Sequence, residues 1–332
     1  TIASHVLTQN GIVLQLSPLS HNMRTVFFNI GSMASVDEND TITVGKAIIV
    51  KDNVIMDIKD SKEAVDEFES SDSKLIDVGG KSVIPGLIDS HNHLLWAGDR
   101  FNEHKLRMDG MSYSQIAASG GGIMETVRHT RNATKQELTQ IGIDRLKESL
   151  RNGCTFLEAK SGYGLSTSEE LRLLEVQDSL NDSPNLPSIH STWMGAHAVT
   201  KDRTYADYTQ EILSEQLPSV LESGLAHSAD VFCEPGWFTL EQSEEILRES
   251  RKGGLALRMH IDEFTDGGGG SLASELKVVT ADHAHHTPLD TRLDMMENGV
   301  MTGFLPGTPY SNGDDWPDFN EVSSHGIDYT IA

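Results

Sequence analysis

The feature that most constrains the fold is an alternation of strand-like and helical segments from residue 86 onward. Apolar runs are separated by longer segments of helical periodicity, such as KQELTQIGIDRLKESLRN and SEELRLLEVQDSL. This order is typical of βαβ units, which build parallel sheets. The strand candidates are GLIDSH, CTFLEAKSGYG, IHSTWMGAHA, ADVFCEPG, LALRMHIDEF, VVTADHAHH, VMTGFLPG and IDYTIA.

These strands fit an α/β fold of the (β/α)8 TIM barrel type. Nearly every candidate has His, Glu, Asp or Gly at its C-terminal end, which is where barrel enzymes place their chemistry. A doubly wound open sheet would instead gather its ligand groups at one switch point. The sequence therefore favours the barrel.

The segment before the barrel has a different pattern. Short apolar runs (TVFFNIG, KAIIV, NVIMDI and KLIDV) are separated by Asp, Asn, Gly and Lys, as in short antiparallel strands. We therefore expect an N-terminal extension at residues 1–24, part of a small β-sandwich domain at residues 25–86, and the barrel at residues 87–332.

The charge balance narrows the classes of partner. With 26 Lys and Arg against 50 Asp and Glu, the net charge is −24, which repels nucleic-acid phosphates and anionic membranes. No run approaches the ~20 apolar residues of a membrane helix, and residues 1–20 lack the features of a signal peptide. Cys154 and Cys233 show no metal or redox spacing, which favours a reduced, cytoplasmic compartment. We expect a small-molecule partner rather than nucleic acid or membrane.

Histidines at strand ends predict a metal site. His91 and His93 lie two apart at the end of an apolar run, and residues two apart on an extended strand face the same side, so both imidazoles can reach one cation. His260 closes the run GLALRMH, and Glu263 follows three positions later. A carboxylate at that position is a candidate base for water on a catalytic metal.

Two further histidines end other strand candidates, His283 in VVTADH and His197 in MGAHA. Because the C-terminal ends of barrel strands meet at one face, these side chains are expected to converge there. A single histidine is more often an ordinary core or surface residue, and we interpret His285 and His286 as loop residues. The histidines without ligand spacing are His5, His21, His104, His129, His190, His227 and His325.

Two segments that follow strand candidates are expected to line the same pocket. They are KSGYG at residues 160–164 and GDR at residues 98–100. Arg100 suits a substrate carboxylate, because its planar guanidinium pairs with two oxygens at once. The alternative for Arg100 is a solvated surface side chain.

Several motifs together resemble the imidazolonepropionase family of the amidohydrolase superfamily. They occur in unbroken order between residues 85 and 306 and are PGLIDSHNHLLWAGDR, GGGIMETVRHTR, EAKSGYGL, GAHA, HIDEF and ADH. The resemblance implies a metal-dependent hydrolase that opens the ring of imidazolonepropionate to N-formimino-glutamate in histidine degradation.

The same resemblance implies residue roles. One divalent ion, zinc or iron, would be held by His91, His93 and His260. Glu263 would transfer protons, and His283 would orient the attacking water or the carbonyl. Substrate contacts would come from Arg100, Tyr113, Tyr163 and His197.

The family also places a fourth ligand, an aspartate, directly after the last barrel strand. That strand is expected at IDYTIA, which ends at Ala332, so no aspartate is assigned. We therefore expect the C-terminal end of the barrel to be incomplete, either because the chain is a fragment or because the barrel is inactive.

Two other functions stay open at this point. An amidohydrolase deaminase acting on an aminated ring would use the same residue types and would release ammonia. A non-catalytic barrel would bind a metal or ligand without turnover. Imidazole ligands suit zinc and iron alike, and the sequence leaves a homodimer open.

Overall fold

The computed structural model describes residues 6–8, 13–14, 23–37, 39, 41–69, 71–111, 115–116, 119–181, 183 and 185–332. The chain divides into two compact units. One comprises residues 1–88, 143–157 and 181–188, and the other comprises residues 89–142, 158–180 and 189–332.

The first unit contains two β-sheets, with strand orders β2-β1-β9-β4-β5 and β7-β6-β3-β8. The strands are β1 (Val6–Thr8), β2 (Val13–Leu14), β3 (Arg24–Phe28), β4 (Ser32–Ala34), β5 (Ile42–Thr43), β6 (Lys46–Lys51), β7 (Val54–Asp60), β8 (Ser73–Asp77) and β9 (Ser82–Ile84). Residues 6–8 and 13–14, which lie in the expected N-terminal extension, thus form strands of the first sheet.

The apolar run KAIIVK explains the position of β6, because both of its faces are buried. Ile48 and Val50 pack into one cluster with residues of the other sheet. Ala47 and Ile49 pack on the opposite face against α1 (Ser61–Phe68). The expected antiparallel pairing holds for β3 with β6 and for β6 with β7, whereas β3 and β8 are parallel. The helix α1 connects β7 to β8 along the chain, and β8 then runs in the same direction as β7.

The barrel sheet has eight strands in the order β10-β11-β12-β13-β14-β15-β16-β17, and the pairs from β12 to β17 are parallel. Each of the strand candidates supplies one strand, so the predicted barrel fold is confirmed. The strands are β10 (Leu87–Asn92), β11 (Cys154–Lys160), β12 (Ser188–Ala196), β13 (Ser228–Cys233), β14 (Ala256–Ile261), β15 (Thr280–His283), β16 (Met301–Phe304) and β17 (Tyr329–Ile331).

Helices connect these strands. They are α2 (Phe101–Met108), α3 (Ile123–Asn132), α4 (Lys135–Arg151), α5 (Thr167–Asn181), α6 (Tyr205–Glu211), α7 (Leu217–Ser223), α8 (Leu240–Lys252), α9 (Gly269–Leu276), α10 (Leu289–Glu297), α11 (Gly307–Asn312) and α12 (Phe319–Ser324), with a π-helical turn at Ile212–Gln216. Among the described residues, no helix is both long and apolar enough to span a bilayer.

The main core of the second unit includes large side chains with no exposed surface, such as Trp193 on β12 and Tyr208 on α6. The indole nitrogen of Trp193 donates a hydrogen bond of 2.9 Å to Gln216, so the one polar atom of this ring is satisfied inside the core. Burial of such side chains contributes roughly 2–3 kcal/mol each.

The strand register places the site. His260 on β14 pairs with Phe232 on β13 and with Asp282 on β15, and Asp282 pairs with Gly303 on β16. Because paired residues of neighbouring strands point to the same face of a sheet, His260 and Asp282 share one face. Asp230, two residues before Phe232, lies on that face as well.

Candidate metal centre

The histidines predicted at strand ends lie together. His260 and His283 end β14 and β15, His91 lies at the end of β10, and His93 and His197 follow β10 and β12 directly. The rings of His91 and His260 have centroids 4.5 Å apart, and those of His260 and His283 are 5.2 Å apart. The rings of His93 and His197 stack at 4.7 Å. Four strands therefore contribute to one cluster.

Four of these imidazoles have their Nδ1 atom opposite an oxygen acceptor. The acceptors are Asp282 Oδ2 for His91 at 2.8 Å, the Ser161 carbonyl for His93 at 3.0 Å, Asp230 Oδ1 for His260 at 2.9 Å, and the Gly162 carbonyl for His197 at 2.9 Å. Since these oxygens accept, Nδ1 carries the proton in each ring. Nε2 is then left with its lone pair, which is the tautomer found in metal-binding histidines.

The Nε2 atoms of two of these rings face one another, so the distance between them tests whether a cation fits. Nε2 of His93 lies 3.4 Å from Nε2 of His260, and neither carries a proton that could bridge them. Two ligands about 2.0–2.1 Å from a tetrahedral Zn²⁺ have nitrogens about 3.3 Å apart. This pair of nitrogens therefore fits a divalent cation. Among the described residues, two groups have their ligand atoms within 4.8 Å of one another: His91, His260 and His283, and His93, His197 and His260. The predicted set of His91, His93 and His260 shares two residues with each group and is not itself one of them.

Burial keeps four of the rings neutral, those of His91, His93, His197 and His283. Burial is the largest cause that lowers the pKa of His91, His93 and His283 well below the usual value, and neighbouring charges and rings add to it. The pKa of His197 falls to about 3, also mainly because of burial. Neutral imidazole is the form that binds a metal.

Glu263 lies beside this cluster, with its carboxylate 3.5 Å from Nε2 of His283. Burial, followed by the charges of Glu234 and Asp314, raises the pKa of Glu263 to about 8. Glu234 also accepts a hydrogen bond of 2.9 Å from the backbone N–H of Glu263. A carboxyl group whose pKa lies near neutrality is suited to both giving and taking a proton.

The loop after β14 is held by a second buried carboxylate. Asp262 accepts hydrogen bonds from the backbone of Gly267, Gly269 and Gly270 and from the hydroxyl of Thr287. Asp262 itself has a φ of 48°, in the left-handed region that is uncommon for residues other than glycine. These bonds offset that backbone cost and fix the direction in which the next residue, Glu263, leaves the strand.

Two other site residues, His283 and Ala284, also have positive φ values, of 68° and 45°. Non-glycine residues in this region cost about 1 kcal/mol or more and are enriched at functional sites. The sharp change of direction ends β15 at the histidine.

The loop at residues 161–165 carries Tyr163, whose ring centroid lies 5.2 Å from that of His93 and 5.3 Å from that of His197. Glu170 on α5 accepts hydrogen bonds from the backbone of Gly162, Gly164 and Leu165. At Gly162 a Cβ atom would lie 2.8 Å from Nδ1 of His197, and its φ is 98°, so only glycine fits. The loop is thus fixed by a buried carboxylate from the following helix.

Lys160 does not line the pocket, contrary to the expectation for KSGYG. Its side chain has no exposed surface, and its ammonium lies 2.7 Å from Asp230 and 3.0 Å from Glu158. Burial opposes the charged form, but the attraction of Asp230, Glu158 and Asp282 outweighs it and raises the pKa of Lys160. Lys160 is the last residue of β11, and its side chain lies among the carboxylates of Glu158 on the same strand, Asp230 on β13 and Asp282 on β15.

Arg100 stands apart from the histidine cluster. Arg100 is exposed at the start of α2, and its guanidinium lies 4.0 Å from Glu103; among the described residues its ion pair is with Glu103. Tyr113 lies outside the described residues. The roles of both residues stay predictions.

A small pocket adjoins the cluster. It is lined by Glu263, His283, His285, Phe304, Pro306 and Asp314, among others. Sequence reasoning placed His285 in a loop without a role, because only its position two residues beyond His283 was visible. Because His285 does not fit the spacing of the predicted metal ligands, nothing in the sequence indicated that it would line this pocket.

Solved structures with the same fold are hydrolases. Atrazine chlorohydrolase from Arthrobacter aurescens, complexed with zinc, is 14% identical with a TM-score of 0.65 and covers 93% of this chain and 71% of its own. A Xaa-Pro dipeptidase with bound methionine is 16% identical with a TM-score of 0.62, over 93% and 79%. The fold and the strand-end histidines thus define a (β/α)8 barrel that carries a candidate metal centre.

Sequence relatives give the family. The imidazolonepropionase of Alkaliphilus metalliredigens is 43% identical over 71% of this chain and 56% of its own length. That of Symbiobacterium thermophilum is 40% identical over 80% and 63%, and that of Thermoanaerobacter pseudethanolicus is 38% identical over 88% and 70%. The chain belongs to the imidazolonepropionase family.

Two facts limit how far these likenesses extend. The chain spans 56% and 63% of the lengths of the first two relatives. No family model matches it. The activity of the full-length relatives is therefore carried to this chain only as a proposal.

Proposed function

We propose that the protein is a metal-dependent hydrolase that opens the ring of imidazolonepropionate to N-formimino-glutamate. The observation that carries the proposal is the facing pair of Nε2 atoms on His93 and His260, 3.4 Å apart, with Glu263 beside the same cluster. The names of the relatives support this choice of substrate.

We assign one divalent ion, zinc or iron, to His91, His93 and His260. A divalent cation bound there would lower the pKa of water and polarise a carbonyl oxygen. All three ligands are buried or partly buried and have an oxygen acceptor on Nδ1, which fixes the ring orientation. Imidazole suits both metals, so the choice between zinc and iron depends on measurement.

The chain's own residues handle the protons. Glu263 takes a proton from the attacking water as the new C–O bond forms at the ring carbonyl. It then gives that proton to the ring nitrogen as the C–N bond breaks, so one water is consumed and no other reactant is needed. His283, 3.5 Å from Glu263, is neutral and is assigned to orienting the water or the carbonyl.

Substrate contacts are assigned to Arg100, Tyr113, Tyr163 and His197. The support is strongest for Tyr163 and His197, whose rings lie beside His93. Arg100 would pair with the propionate carboxylate, for which a guanidinium is geometrically suited.

The test is to load the purified protein with Zn²⁺ or Fe²⁺ and to follow imidazolonepropionate by its ultraviolet absorbance, with the product identified by mass. N-formimino-glutamate without ammonia is the expected result. Ammonia from an aminated ring would instead support a deaminase. Stoichiometric metal and ligand binding without turnover of either substrate would support a non-catalytic barrel.

A further inference from the structure

The face of the sheet that carries the histidines also carries buried charges. Lys160 on β11 has no exposed surface, and its ammonium contacts three carboxylates, at 2.7 Å (Asp230), 3.0 Å (Glu158) and 3.4 Å (Asp282). Glu158 has a second cation, Arg258, at 3.8 Å. Buried carboxylates are costly unless they are paired, so Lys160 holds this group of side chains together.

Two of these carboxylates contact the histidines as well. Asp230 accepts from Lys160 through Oδ2 and from His260 through Oδ1. Asp282 Oδ2 lies 2.8 Å from Nδ1 of His91 and 3.4 Å from the ammonium. Lys160 therefore contacts the carboxylates that are bonded to two of the three proposed metal ligands, His91 of β10 and His260 of β14.

The surroundings leave Asp282 little freedom. A Cβ atom at Gly303 would lie 2.3 Å from Asp282 Oδ1, so the carboxylate lies against the backbone of β16. Asp282 Oδ1 is buried and has no hydrogen-bond partner among the described residues. The contacts through Oδ2 thus fix the direction of this carboxylate.

We propose that Lys160 is a positioning residue of the metal centre. It holds Asp230 and Asp282 so that His260 and His91 keep their Nδ1 protons bonded and their Nε2 atoms turned to the ion. This inference rests on the proposed metal centre but not on the choice of substrate.

The variant that tests it is Lys160→Met, which keeps most of the length of the unbranched side chain and removes the charge. Its matched control is Lys135→Met, which removes an ammonium from an exposed pair with Glu175 at 2.9 Å. Zn²⁺ affinity is measured by competition with a chromophoric chelator, and ligand geometry by the visible spectrum of the Co²⁺ form. We expect Lys160→Met to bind Zn²⁺ about 10–100-fold more weakly, the usual effect of losing an outer contact of a metal ligand, and to change the Co²⁺ spectrum. Lys135→Met should match the wild type in both.

If Lys160→Met does not fold, a comparison of two other variants takes its place. Asp230→Asn is compared with the double variant Asp230→Asn/Lys160→Met, which removes one charge of each sign. The double variant should bind Zn²⁺ more weakly than Asp230→Asn, because His91 also loses the fixed position of Asp282.

The outcomes separate the two proposals. If the wild type binds Zn²⁺ and Lys160→Met binds it equally well with an unchanged Co²⁺ spectrum, Lys160 stabilises the fold only, and the positioning role is wrong. Equal Zn²⁺ affinity in Asp230→Asn and the double variant leads to the same conclusion. If the wild type binds neither Zn²⁺ nor Co²⁺, the metal centre of the proposed function fails, and the role of Lys160 fails with it.

Discussion

Replacing Glu263 by Gln removes the carboxyl group that lies beside the histidine cluster while nearly preserving its shape. In the folded protein, burial and then the charges of Glu234 and Asp314 raise the pKa of Glu263 from 4.5 to about 8. The side chain is 14% exposed, so solvent screens this effect only weakly. The charged form is therefore costly in the folded state.

The sign of the effect on stability follows from proton binding. Between pH 4.5 and about 8 the unfolded chain has lost this proton while the folded chain keeps it. The free energy of unfolding of the wild type should thus fall as pH rises through that window, by about 1.4 kcal/mol per pH unit from this group. At pH 8 the accumulated cost approaches roughly 4–5 kcal/mol. Gln has no such cost, so Glu263→Gln should match the wild type near pH 4.5 and be more stable by several kcal/mol at pH 8.

The assay is urea unfolding of both proteins without metal, in the presence of a chelator, at pH 5 and pH 8. Glu222→Gln, at an exposed position, serves as the control and should follow the wild type at both values. Parallel pH dependence of Glu263→Gln and the wild type would refute the reasoning. In the metal-loaded form, the variant should keep its bound ion but lose at least ~10²-fold in turnover, as expected when a general acid–base group is removed.

Three further substitutions test other parts of the site. His260→Ala should weaken Zn²⁺ binding by at least about 100-fold in chelator competition, because it removes a ligand and not only an outer contact; His325→Ala, at an exposed position, should not. Arg100→Ala should weaken binding of imidazolonepropionate by about 1.5–3 kcal/mol, and an analogue without the carboxylate should lose little; equal losses for both would remove Arg100 from carboxylate recognition. Glu170→Gln should lower the free energy of unfolding by about 1–3 kcal/mol in urea titration, because an amide nitrogen would face a backbone N–H of the Tyr163 loop; unchanged stability would contradict that account.

The barrel was predictable because its signal is repeated along the chain. Each strand candidate combines an apolar run with a polar end, and a helical segment follows most of them. The placement of His91, His260 and His283 at strand ends followed from the same pattern, since barrel topology brings strand ends together whatever their separation in the chain. The assignment of substrate and metal came from the family resemblance and not from spacing.

The sequence did not reveal which groups accept hydrogen bonds from Nδ1 of the histidines. Asp230 precedes the end of its strand by three residues, and Lys160 looks like part of a loop motif. Their meeting depends on strand register, which sets Asp230 beside Arg258 and His260 beside Asp282. Parallel strands are joined by long crossover connections, so their register depends on how distant segments pack, and the sequence of one strand alone does not report it.

The charged interior of this barrel is itself an argument for function. Barrel interiors are usually filled by Val, Ile and Leu, whereas this sheet buries Glu158, Lys160, Asp230, Arg258 and Asp282 or most of their surface. Replacing buried ion pairs by apolar residues is often neutral or stabilising, so stability alone does not explain this composition. The charges do explain how two histidines from distant strands keep one tautomer and one orientation. A metal site whose histidines must be held in place through hydrogen bonds to Nδ1 is a sufficient reason for a barrel to keep a polar interior at the expense of stability.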